Sequence, residues 1–127
     1  MTGTILVVDD EKAIVEMLVL LLESEGYRVV TARNGGEGLD QAIAERPDVV
    51  LSDVMMPVHD GLDLCRKLRA DPVLRSIPLV FMTAVPEPLM AWDCPFDAYL
   101  PKPFDIEEVF ATVAHLLAGA DGRVPSG

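Results

Sequence analysis

The feature that most constrains this chain is an alternation between short runs of branched apolar residues and longer stretches whose apolar residues recur with helical spacing. Ile5-Leu6-Val7-Val8 reads as a strand buried on both faces, since none of its four side chains is polar. Over residues 12–25, Ile14, Met17, Leu18, Leu21 and Leu22 fall at i, i+3, i+4, i+7 and i+8. Gly26 then stands where a left-handed residue closes a helix. The same reading predicts strands over residues 28–32, 48–52, 78–82 and 98–100. Helices are predicted over 36–45, 62–70 and 105–118, the last with Ile106, Val109, Phe110 and Val113 on one face. Right-handed crossovers turn such a series into an α/β fold, a doubly wound five-stranded parallel sheet with helices on both faces.

With 127 residues there is room for one compact domain, which we place at residues 1–118, and residues 119–127 read as a flexible tail or the start of a linker. Half of the residues are hydrophobic, enough for a core without covalent staples. Cys65 and Cys94 form no CxxC pair and stand near no ligand-spaced histidines, so we expect two enclosed thiols and neither a disulfide nor a zinc site. Ten basic against twenty-one acidic residues give a net charge of −11, a field that repels nucleic-acid phosphates and anionic lipid. Direct nucleic-acid and membrane binding are therefore excluded on this reading. The first residues hold neither a basic leader nor a long apolar run, and we expect a cytoplasmic protein.

In an open parallel sheet, ligands bind beyond the carboxyl ends of the strands. Those ends carry Asp9-Asp10 after the first strand, Asp53 after the third, Thr83-Ala84 after the fourth and Lys102-Pro103 after the fifth. Close carboxylates repel, so three at one edge call for protons or a cation, and a hard dication is the simpler occupant. Mg2+ suits oxygen donors and is usually shared between carboxylates and phosphate oxygens. An aspartate beside it can act as a nucleophile toward phosphorus, with a lysine stabilising the transferring oxygens. Asp53, on the central part of the sheet, is the natural nucleophile.

Taken one at a time, these residues have ordinary explanations. Asp9 or Asp10 alone would be a helix N-cap, Thr83 a strand residue, Lys102 a solvated charge and Tyr99 plain packing. Pro57 and Gly61 are turn residues, Gly61 where a left-handed conformation is expected.

Together, Val7-Val8-Asp9-Asp10-Glu11, Asp53-Val54-Met55-Met56-Pro57 with Asp60-Gly61, Met82-Thr83-Ala84 and Tyr99-Leu100-Pro101-Lys102-Pro103-Phe104 resemble the receiver domain of two-component response regulators. The likeness covers residues 4–118. It implies the flavodoxin-like receiver fold, and Asp53 as acceptor of a phosphoryl group from a histidine kinase or histidine phosphotransfer protein. It implies Mg2+ held by Asp10, Asp53 and the carbonyl of Met55, with Asp9 acting through water. Lys102 would pair with the phosphoryl group across a cis Lys102-Pro103 peptide. Thr83 would move to hydrogen-bond that group, and Tyr99 would change rotamer with it, switching a surface for a downstream protein effector. Chemistry beyond self-phosphorylation from a donor and slow autodephosphorylation is not implied.

Residues 84–97 depart from the family pattern. They are a few residues short and hold Pro86, Pro88 and Pro95, so the fourth helix is expected to be shortened, with Met90 and Trp92 filling the gap it leaves. His59 stands where the family usually has an apolar residue, and we expect it exposed. A haloacid-dehalogenase phosphatase would place DxDxT after the first strand, and a flavin or nucleotide binder would want a small-residue phosphate loop where Asp9-Asp10 stand. Three readings stay open beside a stand-alone receiver: part of a larger DNA-binding regulator, part of a hybrid kinase, or a phosphorylation-independent adaptor of the same fold. A homodimer is also left open, since Val15 and Val19 extend the apolar surface of the first helix beyond one face.

Overall fold

Four of the strands are five residues long and the fifth is four, and the three inner ones owe their place to side chains that are mostly apolar on both faces rather than to length. The computed structural model describes residues 3–54, 60–84 and 94–122, the last three without their side chains. The strands are β1 (Thr4–Val8), β2 (Arg28–Ala32), β3 (Val49–Asp53), β4 (Leu79–Thr83) and β5 (Ala98–Pro101). They form one sheet in the order β2-β1-β3-β4-β5, with every neighbouring pair parallel. β3 and β4 are buried at every position, and the edge strand β2 is not. The helices among the described residues are α1 (Lys12–Ser24), α2 (Gly35–Glu45), α3 (Gly61–Ala70) and α4 (Ile106–Gly122).

Because successive strand side chains point to opposite faces, the sheet divides the interior in two. Leu6, Val8, Val50 and Phe81 pack with Ala42, Leu64 and Leu68 from α2 and α3. Ile5, Val7, Leu51, Val80 and Met82 pack with Leu18, Leu22, Val109, Val113 and Leu117 from α1 and α4. Burying each such side chain contributes about 1.5–3 kcal/mol before conformational entropy is subtracted. This is the doubly wound arrangement that the alternation predicts.

Local chemistry sets the helix boundaries. The Asn34 side chain accepts from the Glu37 backbone N–H at 2.9 Å, while Glu37 reaches back to the Arg33 N–H at 3.0 Å. Asp60 caps α3 by accepting from the Asp63 N–H at 3.0 Å. Gly26 has φ 92°, the left-handed stop expected of it.

Several expectations need correction. The helical spacing of α1 does not make one uniformly buried face: Leu18 and Leu22 are buried, whereas Met17 is 37% exposed. Ile106 is likewise 45% exposed. Gly61 is not left-handed: it opens α3, and its requirement is a close approach described below. Helix α4 continues to Gly122, so residues 119–122 are helical rather than tail.

Cys65 and Cys94 are joined by a disulfide, with Cα atoms 6.3 Å apart, contrary to the expectation of two thiols. Nothing in their separation of 29 residues signals the pair. It exists because the chain returning to β5 packs on α3. Met55, His59, Pro57, Pro86, Pro88, Met90, Trp92 and the shortened fourth helix lie outside the described residues.

Candidate functional site

Strand order reverses between β1 and β3. The chain leaves β1 for β2 on one side of the sheet and leaves β3 for β4 on the other, opening a crevice at their carboxyl ends. In the parallel register Val8 stands opposite Ser52, so Asp9 and Asp53, one residue further along each strand, arrive side by side. Asp9, Asp10 and Asp53 each offer a carboxylate oxygen, all within 4.8 Å of one another. Asp9 and Asp53 are 1% and 6% exposed, and Asp10 faces solvent. The burial of Asp9 is made tolerable by its partners: Oδ1 accepts the Glu11 N–H at 2.9 Å and Oδ2 accepts from Lys102 Nζ at 2.9 Å.

Lys102 is aimed from the far side of the sheet. Its backbone N–H donates to the Thr83 carbonyl at 2.9 Å, extending the β4–β5 ladder by one residue, and the Lys102-Pro103 peptide is cis. Its ammonium then lies 2.9 Å from Asp9, 3.3 Å from Glu11 and 3.4 Å from Asp53. Burial pulls the ammonium's pKa down. The hydrogen bond and charge of Asp9, then the charge of Asp53 and the hydrogen bond of Glu11, push it up by more, and the net position lies above the ordinary 10.5. Lys102 therefore stays charged at neutral pH.

Thr83 ends β4, buried, one residue beyond the Met82 that pairs with Asp53. Tyr99 is half-buried in β5, two residues before the Pro101 that pairs with Thr83. Asp53, Asp9, Asp10, Lys102 and Thr83 thus reach one sheet edge as the strand-end reading requires. The Met55 carbonyl lies outside the described residues.

Two contributors carry no role in the sequence reading. Glu11 is a second counter-charge for Lys102, and its signal was the third acid in Asp9-Asp10-Glu11. Gly61 donates its N–H to the Val54 carbonyl at 3.0 Å, and a Cβ there would collide with the Asp53 carbonyl oxygen and lie 3.0 Å from Val54 Cα. The start of α3 rests on the backbone of the central aspartate, and only glycine permits it.

The donor set is all oxygen and carries more negative charge than Lys102 offsets, which suits a hard dication rather than zinc or copper. A cleft lined by Asp9, Asp10, Lys12, Glu16 and Arg33 opens beside it, giving access from solvent.

The family model for the response regulator receiver domain matches residues 5–114. The response regulator MprA of Mycolicibacterium vanbaalenii is 45% identical over 116 residues, covering 89% of this chain and 49% of that protein. Among solved structures, the signal receiver domain of a signal transduction histidine kinase from Syntrophus aciditrophicus superposes with a TM-score of 0.88 at 36% identity. The match covers 98% of this chain and 96% of that one. The receiver domain of the sensor histidine kinase PA1611 from Pseudomonas aeruginosa, with a magnesium ion coordinated in its active-site cleft, gives 0.84 at 28% identity, covering 93% and 99%. The chain belongs to the response regulator receiver domain family of two-component systems. It spans about half the length of the curated relatives it matches. Among the described residues, no helix is long and apolar enough to cross a membrane.

Proposed function

We propose that Asp53 accepts a phosphoryl group from the phosphohistidine of a histidine kinase or phosphotransfer protein, in the cytoplasm, and that the resulting charge switches a surface read by a downstream protein. The observation that carries this reading is the meeting of Asp53, Asp9, Asp10 and Lys102 at the switch point of the sheet. An Asp53 carboxylate oxygen attacks phosphorus, the imidazole of the donor departs with the electron pair of the broken P–N bond, and a mixed carboxylic–phosphoric anhydride remains. Asp10 and Asp53 with the Met55 carbonyl, and Asp9 through water, would hold Mg2+, which would supply charge neutralisation at the transferring oxygens. Lys102, already within 3.4 Å of Asp53, turns its ammonium toward a phosphoryl oxygen and forms an ion pair with it. Thr83 donates its hydroxyl to another, and Tyr99 follows it, a local charge event read out by a two-state element.

The domain comprises residues 1–118 with the remaining helical turn of α4. A second reading, that it is the receiver portion of a longer DNA-binding regulator or a hybrid kinase, is favoured by its spanning about half of its curated relatives. In every setting the net charge of −11 argues against direct nucleic-acid contact by this chain.

The test is intact mass after incubation with acetyl phosphate, with and without Mg2+, for the native chain and Asp53→Asn. A single phosphoryl adduct that requires both Mg2+ and Asp53 supports the proposal. An adduct that survives in Asp53→Asn moves the acceptor elsewhere. No adduct, with Mg2+ binding demonstrated separately, leaves a receiver fold that works without phosphorylation.

A further inference from the structure

The chain that leaves β4 at Thr83 returns to β5 through residues 94–97, and α3 grips that return at two points one helical turn apart. Cys65 holds it covalently through Cys94. Arg69, at i+4, holds it by hydrogen bonds: Nε donates to the Pro95 carbonyl at 3.0 Å and Nη2 to Asp97 Oδ2 at 2.9 Å. Asp97 in turn takes the Leu79 N–H at 2.8 Å, and the Phe96 ring rests on Phe81 with centroids 5.2 Å apart. The polar and aromatic anchors hold the return whether or not the sulfurs are bonded. The disulfide adds something different: it closes a covalent ring that contains α3 from Cys65 onward, β4 and the hydroxyl of Thr83.

Both states of the sulfur pair are accommodated. Cys65 is fully buried and its Sγ lies 3.3 Å from the Pro95 carbonyl oxygen, so the thiol formed on reduction has an acceptor at hand. Cys94 keeps 6% exposure against none for Cys65, so it is the less enclosed residue of the pair.

We propose that Cys65 and Cys94 form a reversible thiol–disulfide site, exchanged at Cys94 by a dithiol/disulfide carrier, whose oxidation state sets how readily the Thr83 end of the site responds to phosphorylation. The carrier's thiolate attacks the Cys94 sulfur and forms a mixed disulfide, and Cys65 leaves as thiolate and takes up a proton. The carrier's second thiolate then attacks its own sulfur in the mixed disulfide and releases Cys94 as thiolate, which is protonated. Two electrons have passed from the carrier, now a disulfide, to the pair, and oxidation is the reverse. With the ring closed, a shift of Thr83 is resisted by α3 through a covalent path. With it open, Thr83 keeps its strand ladder, with the Lys102 N–H on its carbonyl, and the return keeps the anchors of Arg69, Asp97 and Phe96.

The second half of the proposal rests on the phosphoacceptor reading, and the experiment separates the two. The native chain is equilibrated with graded ratios of reduced to oxidised dithiothreitol without denaturant, quenched in acid, and all thiols are then counted by alkylation in denaturant and intact mass. Each form is then phosphorylated with acetyl phosphate and Mg2+, beside Cys65→Ala/Cys94→Ala. Support is a two-thiol transition in that series, with phosphorylation or dephosphorylation rates differing about fivefold or more between forms and a double variant blind to the ratio. Thiols that never form without denaturant overturn the exchange. Equal rates in both forms overturn the coupling, and no adduct in either form overturns the coupling together with the phosphoacceptor reading, while the thiol transition still decides the exchange by itself.

Discussion

Replacing Lys102 by methionine should make the folded chain depend on a divalent cation. The side chain is 12% exposed and its ammonium lies 2.9, 3.3 and 3.4 Å from carboxylates of Asp9, Glu11 and Asp53. At an effective dielectric of about 20, each contact is worth roughly 5–6 kcal/mol in gross attraction, most of which only offsets the desolvation of the charges involved. Methionine keeps the stem's packing but takes the ammonium away from Asp9, whose side chain is fully enclosed, and from Asp53, 3.4 Å off. The expected loss without metal is about 3–5 kcal/mol, the range for removing one member of a buried pair. Against a domain stability of about 5–15 kcal/mol this is a lowering of Tm by roughly 10–20 °C.

Mg2+ restores the missing positive charge, so at one Mg2+ concentration it should stabilise Lys102→Met more than the native chain, the variant's own gain being about 2.7 kcal/mol at 100 times its dissociation constant. Urea unfolding in chelator and in a magnesium series measures both quantities. A variant as stable as the native chain in chelator, or an equal gain from Mg2+ in both proteins, would refute the view that the ammonium and the three-aspartate cluster form one electrostatic unit.

Gly61→Ala should cost about 1–3 kcal/mol in urea unfolding and slow acetyl phosphate labelling, because the new methyl meets the backbone of Asp53 and Val54, which no side-chain rotation can relieve. Reducing the Cys65–Cys94 bridge should lower the unfolding free energy by about 3–4 kcal/mol on the chain-entropy account for a separation of 29 residues, measured by unfolding with and without dithiol. The hydrogen bond from the Arg33 backbone N–H, then that from its side chain, holds the Glu37 carboxyl below its ordinary 4.5. Its contribution is therefore present above that value and fades as pH falls through the lowered pKa, so Glu37→Gln should lower stability slightly at neutral pH and leave the acid end nearly unchanged, which flattens the acid limb of a stability–pH curve.

Sequence alone determined the order of strands and helices, because Ile5-Leu6-Val7-Val8 has no polar residue to tolerate exposure, its counterparts are short and mostly apolar, and the stretches between them follow the helical period. It also determined which residues end the strands. Since every strand runs parallel, Asp9, Asp53, Thr83 and Lys102 had to emerge at one edge. Tertiary structure decided what those residues do to one another: that Asp9 is buried and paired, that Glu11 shares Lys102, and that Gly61 is required by a contact rather than by its φ angle. It alone decided the disulfide and the grip of Arg69, for a physical reason. Both join α3 to a segment almost thirty residues further along, and no periodicity or spacing in the chain encodes a distance that exists only once a helix and a returning strand have packed against each other.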